Sequence, residues 1–187
     1  MLGLLKVIML SMLFSLTACQ LMNSKPAQLP KEVQLGETYY TQVTMMYEKG
    51  VYPTTNYRRG TLLEVNTPVE LLEIGSKAIK VKILASNAEL LIKNVAKHTG
   101  DDSYQAFTKL FAKQEVNLSR FKRMERDHIK QGMLAKGMSK EAVRVAIGYP
   151  PIVRTPSLDS NKWTYWRSKF NTFIVHFEND KVSRIQD

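Results

Sequence analysis

Cysteine is nearly absent from this sequence. Cys19 is the only one in 187 residues, and it ends a greasy N-terminal run instead of lying among core residues. One thiol excludes an intramolecular disulfide and any Cys-based metal site, so stability has to come from packing. Histidine is scarce as well: His98, His128 and His176 lie far apart, with no spacing that sets two ligands on one helical face. A metal site is not expected. There is no Gly-x-Ser-x-Gly and no phosphate loop. Glu32, Glu37 and the Asp101-Asp102 pair are read as caps and solvated charges, and Asp127 and His128, adjacent on one helix, diverge by about 100°. No convergent acid, base and nucleophile is legible, and the expectation is a protein without enzymatic activity and without a cofactor.

Long hydrophobic runs are missing too. The apolar stretch from Val7 to Ala18 falls short of the roughly 20 residues that a membrane span needs, and Gln20, Asn23 and Lys25 follow it. Pro26 and Pro30 break any helical continuation. Lys6, the apolar run, and small Ser15, Thr17 and Ala18 before Cys19 form the layout of a secretory signal peptide over residues 1–18. Leu16-Thr17-Ala18-Cys19 resembles a bacterial lipobox, which implies that Cys19 becomes the lipidated first residue of the mature chain. Several acyl chains would hold it durably on a membrane. Gln20, where inner-membrane lipoproteins carry Asp, implies the outer membrane with the body facing the periplasm.

Acidic residues are few: 17 Asp and Glu stand against 27 Lys and Arg, a formal charge of +10. The excess is uneven, with 12 basic and 10 acidic residues over 20–118 against 14 and 7 over 119–187. Export excludes nucleic acid as the expected partner. Anionic lipid, peptidoglycan or an acidic protein surface remain, beside the plain alternative of a solvated basic face. Arg120, Arg123 and Arg126 are the candidate lipid-facing charges.

What is present, at 44% hydrophobic and 24% charged residues, is enough to bury a core. Residues 19–35 read as the lipidated cysteine and a tether, reaching about 20–25 Å if it is a flexible coil. Residues 36–100 read as five short strands, with Ile79, Val81 and Ile83 alternating with Lys80 and Lys82, and predict a small SH3-like β-barrel. Residues 101–118 predict a helix capped by Asp101-Asp102, with Tyr104, Phe107, Leu110 and Phe111 on one face. Over 119–187, Ser119 is expected to cap a helix ending at Gly132. Ser139 caps a second that ends at Gly148 and Pro150-Pro151, and three antiparallel strands follow, the last turned by Asn179-Asp180. The fold class is therefore α+β, a barrel followed by a two-layer ααβββ domain.

Gly137-Met138-Ser139-Lys140, Val143, Gly148, Pro150, Asn161-x-Trp163-x-Tyr165 and Phe177 carry a resemblance. With them, residues 132–186 resemble the SmpA/OmlA (BamE-like) family of outer-membrane lipoproteins. The resemblance implies an ααβββ fold and a role as a protein-binding module in outer-membrane protein assembly or envelope integrity. The hundred or so residues before it have no counterpart in that family's small lipoprotein, and the matched positions report fold more than function. Two alternatives stay open: a peptidoglycan-binding structural lipoprotein, and an inhibitor of a periplasmic enzyme, because the ααβββ layout also resembles β-lactamase inhibitor proteins. The candidate partner surfaces are Trp166 with Arg167 and Lys169, and the polar aromatic loop 54–60 containing Tyr57 and Arg58, placed at the barrel's edge. Trp166 has a second reading, packing against the first domain.

Overall fold

The computed structural model describes residues 33–187. The leader, Cys19 and most of the tether lie outside the described residues. The fold is mixed α+β: a curled half-barrel sheet and a second small sheet, with four helices among the described residues.

Alternation builds the first sheet. In β6 (Ala78–Ile83), Ile79, Val81 and Ile83 point inward, while Lys82 reaches Glu70 at 2.5 Å and Lys80 reaches Glu89 at 3.7 Å across the outer face. Antiparallel partners β5 (Pro68–Ile74) and β7 (Ala88–Lys93) flank it. Outside them lie β3 (Val51–Pro53), parallel to β7, and β1 (Thr38–Thr41), which pairs with β5 and with β8 (Phe111–Ala112). The short ribbon of β2 (Met45–Tyr47) and β4 (Thr61–Leu63) stands apart from that sheet. All five expected strands are present. Three more, β1, β3 and β8, escaped the sequence reading because runs of two to four residues show no period.

After the four-residue helix α1 (Ala96–Thr99), α2 (Ser103–Leu110) begins where Asp102 accepts the Gln105 amide at 2.7 Å and the Gln105 side chain accepts the Asp102 amide at 3.0 Å. Its buried Ala106, Phe107 and Leu110 join the core of the first sheet. There Phe107 meets Tyr39 edge-on at 5.0 Å and stacks on Phe111 at 5.3 Å.

The second half has the order helix, helix, three strands: α3 (Arg123–Gln131), α4 (Lys140–Ile147), β9 (Lys162–Trp166), β10 (Thr172–Glu178) and β11 (Lys181–Gln186). The strands pair antiparallel with β10 central. Ser139 accepts the Ala142 amide at 3.2 Å to cap α4, and Met138 and Val143 are fully buried beneath it. The Gly137–Met138 backbone is held to Val182 of β11 by two 2.8 Å bonds. Trp163 packs on Phe177 and Tyr165 stacks on Phe173.

One helix start differs from expectation. Ser119 caps nothing: its amide and hydroxyl donate to Asn117 Oδ1 and hold a single 3-10 turn, Leu118–Arg120. Helix α3 begins at Arg123, because the Glu125 carboxylate reaches back to the Lys122 amide at 3.0 Å. Its other oxygen accepts the Ser139 amide at 2.8 Å, so one buried acid organises the starts of both helices. Burial by itself would raise the pKa of Glu125. The amides of Ser139 and Lys122 outweigh that and hold it below the usual carboxylate value.

Candidate functional site

The two apolar cores meet along a polar seam. Thr44 donates through its hydroxyl to the Ile129 carbonyl at 2.7 Å and through its amide to the Val145 carbonyl at 2.9 Å. Asn56 takes a left-handed conformation (φ 62°) and is buried. Its amide nitrogen donates to the carbonyls of Ile147 (2.5 Å) and Tyr149 (3.1 Å), and its oxygen accepts the Tyr52 hydroxyl at 3.1 Å. The loop 54–60 was expected at an exposed edge. Instead Thr54, Thr55 and Asn56 are buried: Asn56 satisfies carbonyls at the end of α4, Thr54 donates to Asn94 Oδ1 at 3.1 Å, and Thr55 contacts His98.

Arg58 is half-buried at the end of this seam. Its guanidinium donates to the carbonyls of Thr44 (3.3 Å) and Gly132 (3.1 Å), and its amide donates to the Trp166 carbonyl at 3.3 Å. Gly132 ends α3 with φ 63°, and a Cβ there would stand 2.9 Å from the Arg58 guanidinium. Burial draws the Arg58 pKa below its ordinary value, while the neighbouring Tyr52 and Tyr165 work against that shift. Both phenols are pushed up, chiefly by their own burial.

An open cleft of ≈ 300 Å³ lies beside Arg58. Met46, Met133, Leu134, Ile147, Phe173 and Ile185 form its walls, with Gly132 and the two arginines Arg58 and Arg167. Met133 is 54% exposed. A smaller space of ≈ 30 Å³ near Tyr52, Thr54 and Tyr149 is about the size of one water.

The candidate residues divide accordingly. Arg58, Trp166 and Arg167 come together at the seam. Trp166 is half-buried and packs against the first half: its ring lies 4.7 Å from that of His98, which also contacts the Thr55 hydroxyl at 2.8 Å. His98 belongs to α1 and helps join the two halves. Arg167 is exposed and pairs with Asp187. Tyr57 is half-buried, and Lys169 lies beside Phe170 at the β9–β10 turn, where Phe170 is 84% exposed. Arg120 pairs with Glu141 at 2.8 Å, Arg126 donates to the Phe121 carbonyl at 2.7 Å, and Arg123 is exposed. Cys19 lies outside the described residues.

Sequence reasoning missed the cleft walls. Met46, Met133 and Ile185 come from a short strand, a loop and a strand end, and no period links them. Phe170 did leave a signal, as a large apolar residue inside the turn-like stretch Ser168-Lys169-Phe170-Asn171.

Among the described residues, no three His, Cys, Asp or Glu side chains converge as metal ligands would, and no helix is long and apolar enough to cross a membrane. In the Thr55–His98 pair, Thr55 is buried and His98 is half-exposed. Among the described residues, no carboxylate or histidine lines the larger cleft, and its arrangement of apolar walls and two guanidinium groups suits holding an apolar, anionic group. No protein-family model matches the chain, and neither a curated protein nor a solved structure shows significant similarity to it.

Proposed function

We propose that this protein is a non-catalytic binding module, lipidated at Cys19, held at the outer membrane facing the periplasm, and engaged with an envelope protein during outer-membrane assembly or maintenance. The cleft at the seam carries the binding reading: apolar walls and two guanidinium groups, set between halves locked together by buried hydrogen bonds. The lipobox-like Leu16–Cys19 supports the anchor, and the helix-helix-three-strand order is consistent with the SmpA/OmlA resemblance. The SH3-like reading of the first half belongs to the same proposal. Anchoring would confine the cleft near the membrane and raise its effective concentration toward partners in that layer.

A photocrosslinking residue in place of Met133, introduced in cells, tests this. The expected product joins the protein to an envelope protein, and a matched substitution at exposed Leu84, outside the cleft, gives none. Capture of muropeptides alone would replace this reading with the peptidoglycan-binding one. Mass spectrometry of the purified protein should find Cys19 as an acylated N-terminus, and an intact leader would overturn the anchor.

A further inference from the structure

The charge of the cleft is one-sided. Arg58 and Arg167 reach it and, among the described residues, no carboxylate lines it. A guanidinium carries five N–H donors, and carbonyls of Thr44 and Gly132 occupy only part of the Arg58 fork. Among the described residues no carboxylate pairs with Arg58; its titratable neighbours are the buried phenols of Tyr52 and Tyr165, which burial keeps in the neutral form. A half-buried cation without a counter-charge is unfavourable and gains from an incoming anion. Arg167 has a partner, but its pair with Asp187 is exposed on both sides and so is weak and exchangeable. The hydrogen bond from the Arg58 amide to the Trp166 carbonyl brings the two arginine backbones to the same end of the cleft.

The remaining walls are apolar and adaptable, with two methionines among them. The volume lies at the small end of ligand sites, and the cleft is open, which suits a few side chains of a passing peptide better than an enclosed acyl chain.

We propose that this cleft binds an apolar peptide segment bearing one carboxylate, the acid pairing with Arg58 and Arg167 while flanking side chains pack on Met46, Met133, Phe173 and Ile185. This rests on the binding-module reading and names the chemistry of its partner.

The test uses the full chain in detergent micelles with 13C-methyl methionine, titrated with N-acetyl-Phe-Leu as the free acid, with its C-terminal amide, and with octanoate. The expected result is shifts of the Met46 and Met133 methyls by the acid, with a Kd of about a millimolar for so small a ligand. The acid should bind about five-fold or more tightly than the amide. Arg167→Gln, an exposed change, should remove most of that preference, and Arg58→Lys should reduce it. Equal binding of acid and amide would overturn the proposal. So would shifts confined to other methionines, or octanoate binding more tightly at the same methyls, or a preference untouched by both variants, which would leave Arg58 as only a cap on the end of α3. If a crosslinker at Met133 captures an envelope protein while acid and amide bind alike, the ligand chemistry fails and the binding module stands. If neither peptide moves a methyl and nothing is captured, both fail.

Discussion

The two cores and the seam between them are closed by opposite means. Leu71, Ile79, Leu90 and Ile92 in the first core, and Ile129, Val143 and Val175 in the second, lose essentially all contact with water, and burial of each contributes about 1.5–3 kcal/mol. The seam is closed instead by Thr44, Asn56, Arg58 and His98, through directed bonds to backbone carbonyls and to a hydroxyl. Apolar contact is tolerant of small shifts, whereas a hydrogen bond weakens steeply with angle. A polar seam therefore holds the halves in one relative placement, which an apolar one would specify less sharply, and the cleft beside it inherits that shape.

That contrast can be broken by substitution. Leu71→Ala leaves a cavity in the first core and should lower unfolding stability by about 2–5 kcal/mol in a urea titration. Asn56→Ala should cost nearly as much, about 3 kcal/mol, although it deletes far less apolar surface, because it strands the Ile147 and Tyr149 carbonyls and the Tyr52 hydroxyl. A loss below about 1 kcal/mol at Asn56 would show the seam to be incidental.

Glu125→Gln should cost about 1–2 kcal/mol at neutral pH, since the amide is a weaker acceptor for the two helix starts. The pH dependence sharpens this. The folded pKa of Glu125 is depressed, so its contribution is complete above the ordinary value of 4.5 and is lost as pH falls through the folded value. Unfolding titrations from pH 6 down to pH 3 should show a shallower acid loss in the variant than in the parent, and parallel curves would remove Glu125 from the account.

The smallest effect is expected at His98. Its folded pKa is lowered, first by burial and then by Lys97, so the unfolded chain binds the extra proton more readily. Stability is then retained above the ordinary value of 6.5 and declines as pH drops from there toward the folded value. His98→Leu, which keeps an apolar face against Trp166, should flatten thermal stability between pH 7 and 5, and an unchanged slope would exclude the histidine.

Much of the fold was legible locally. Helix α4 announces itself through Ser139, Glu141 and Gly148, and its cap and end lie where those residues predict. Asp102 and the spacing of Phe107 and Leu110 do the same for α2. Strand β6 follows from five alternating residues. Ser119 misled because any Ser before an amphipathic run looks like a cap, whereas the helix starts later, where Glu125 reaches back to the Lys122 amide. The candidate site was legible in fragments: Arg58, Trp166 and Arg167 were singled out, but on two surfaces taken as separate.

By itself the sequence determined the periodic elements, the caps, the basic excess and the apolar run before Cys19, because each depends on composition or on neighbours within about one helical turn or one strand. The tertiary structure alone decided that residues 54–56 turn inward, that Trp166 meets His98, and that Met46, Met133 and Ile185 wall a cleft with Arg58. Those contacts join residues separated by 74 positions for Arg58 and Gly132, and by 91 for Asn56 and Ile147. Over such distances no local period persists, and only the packed chain brings the groups together.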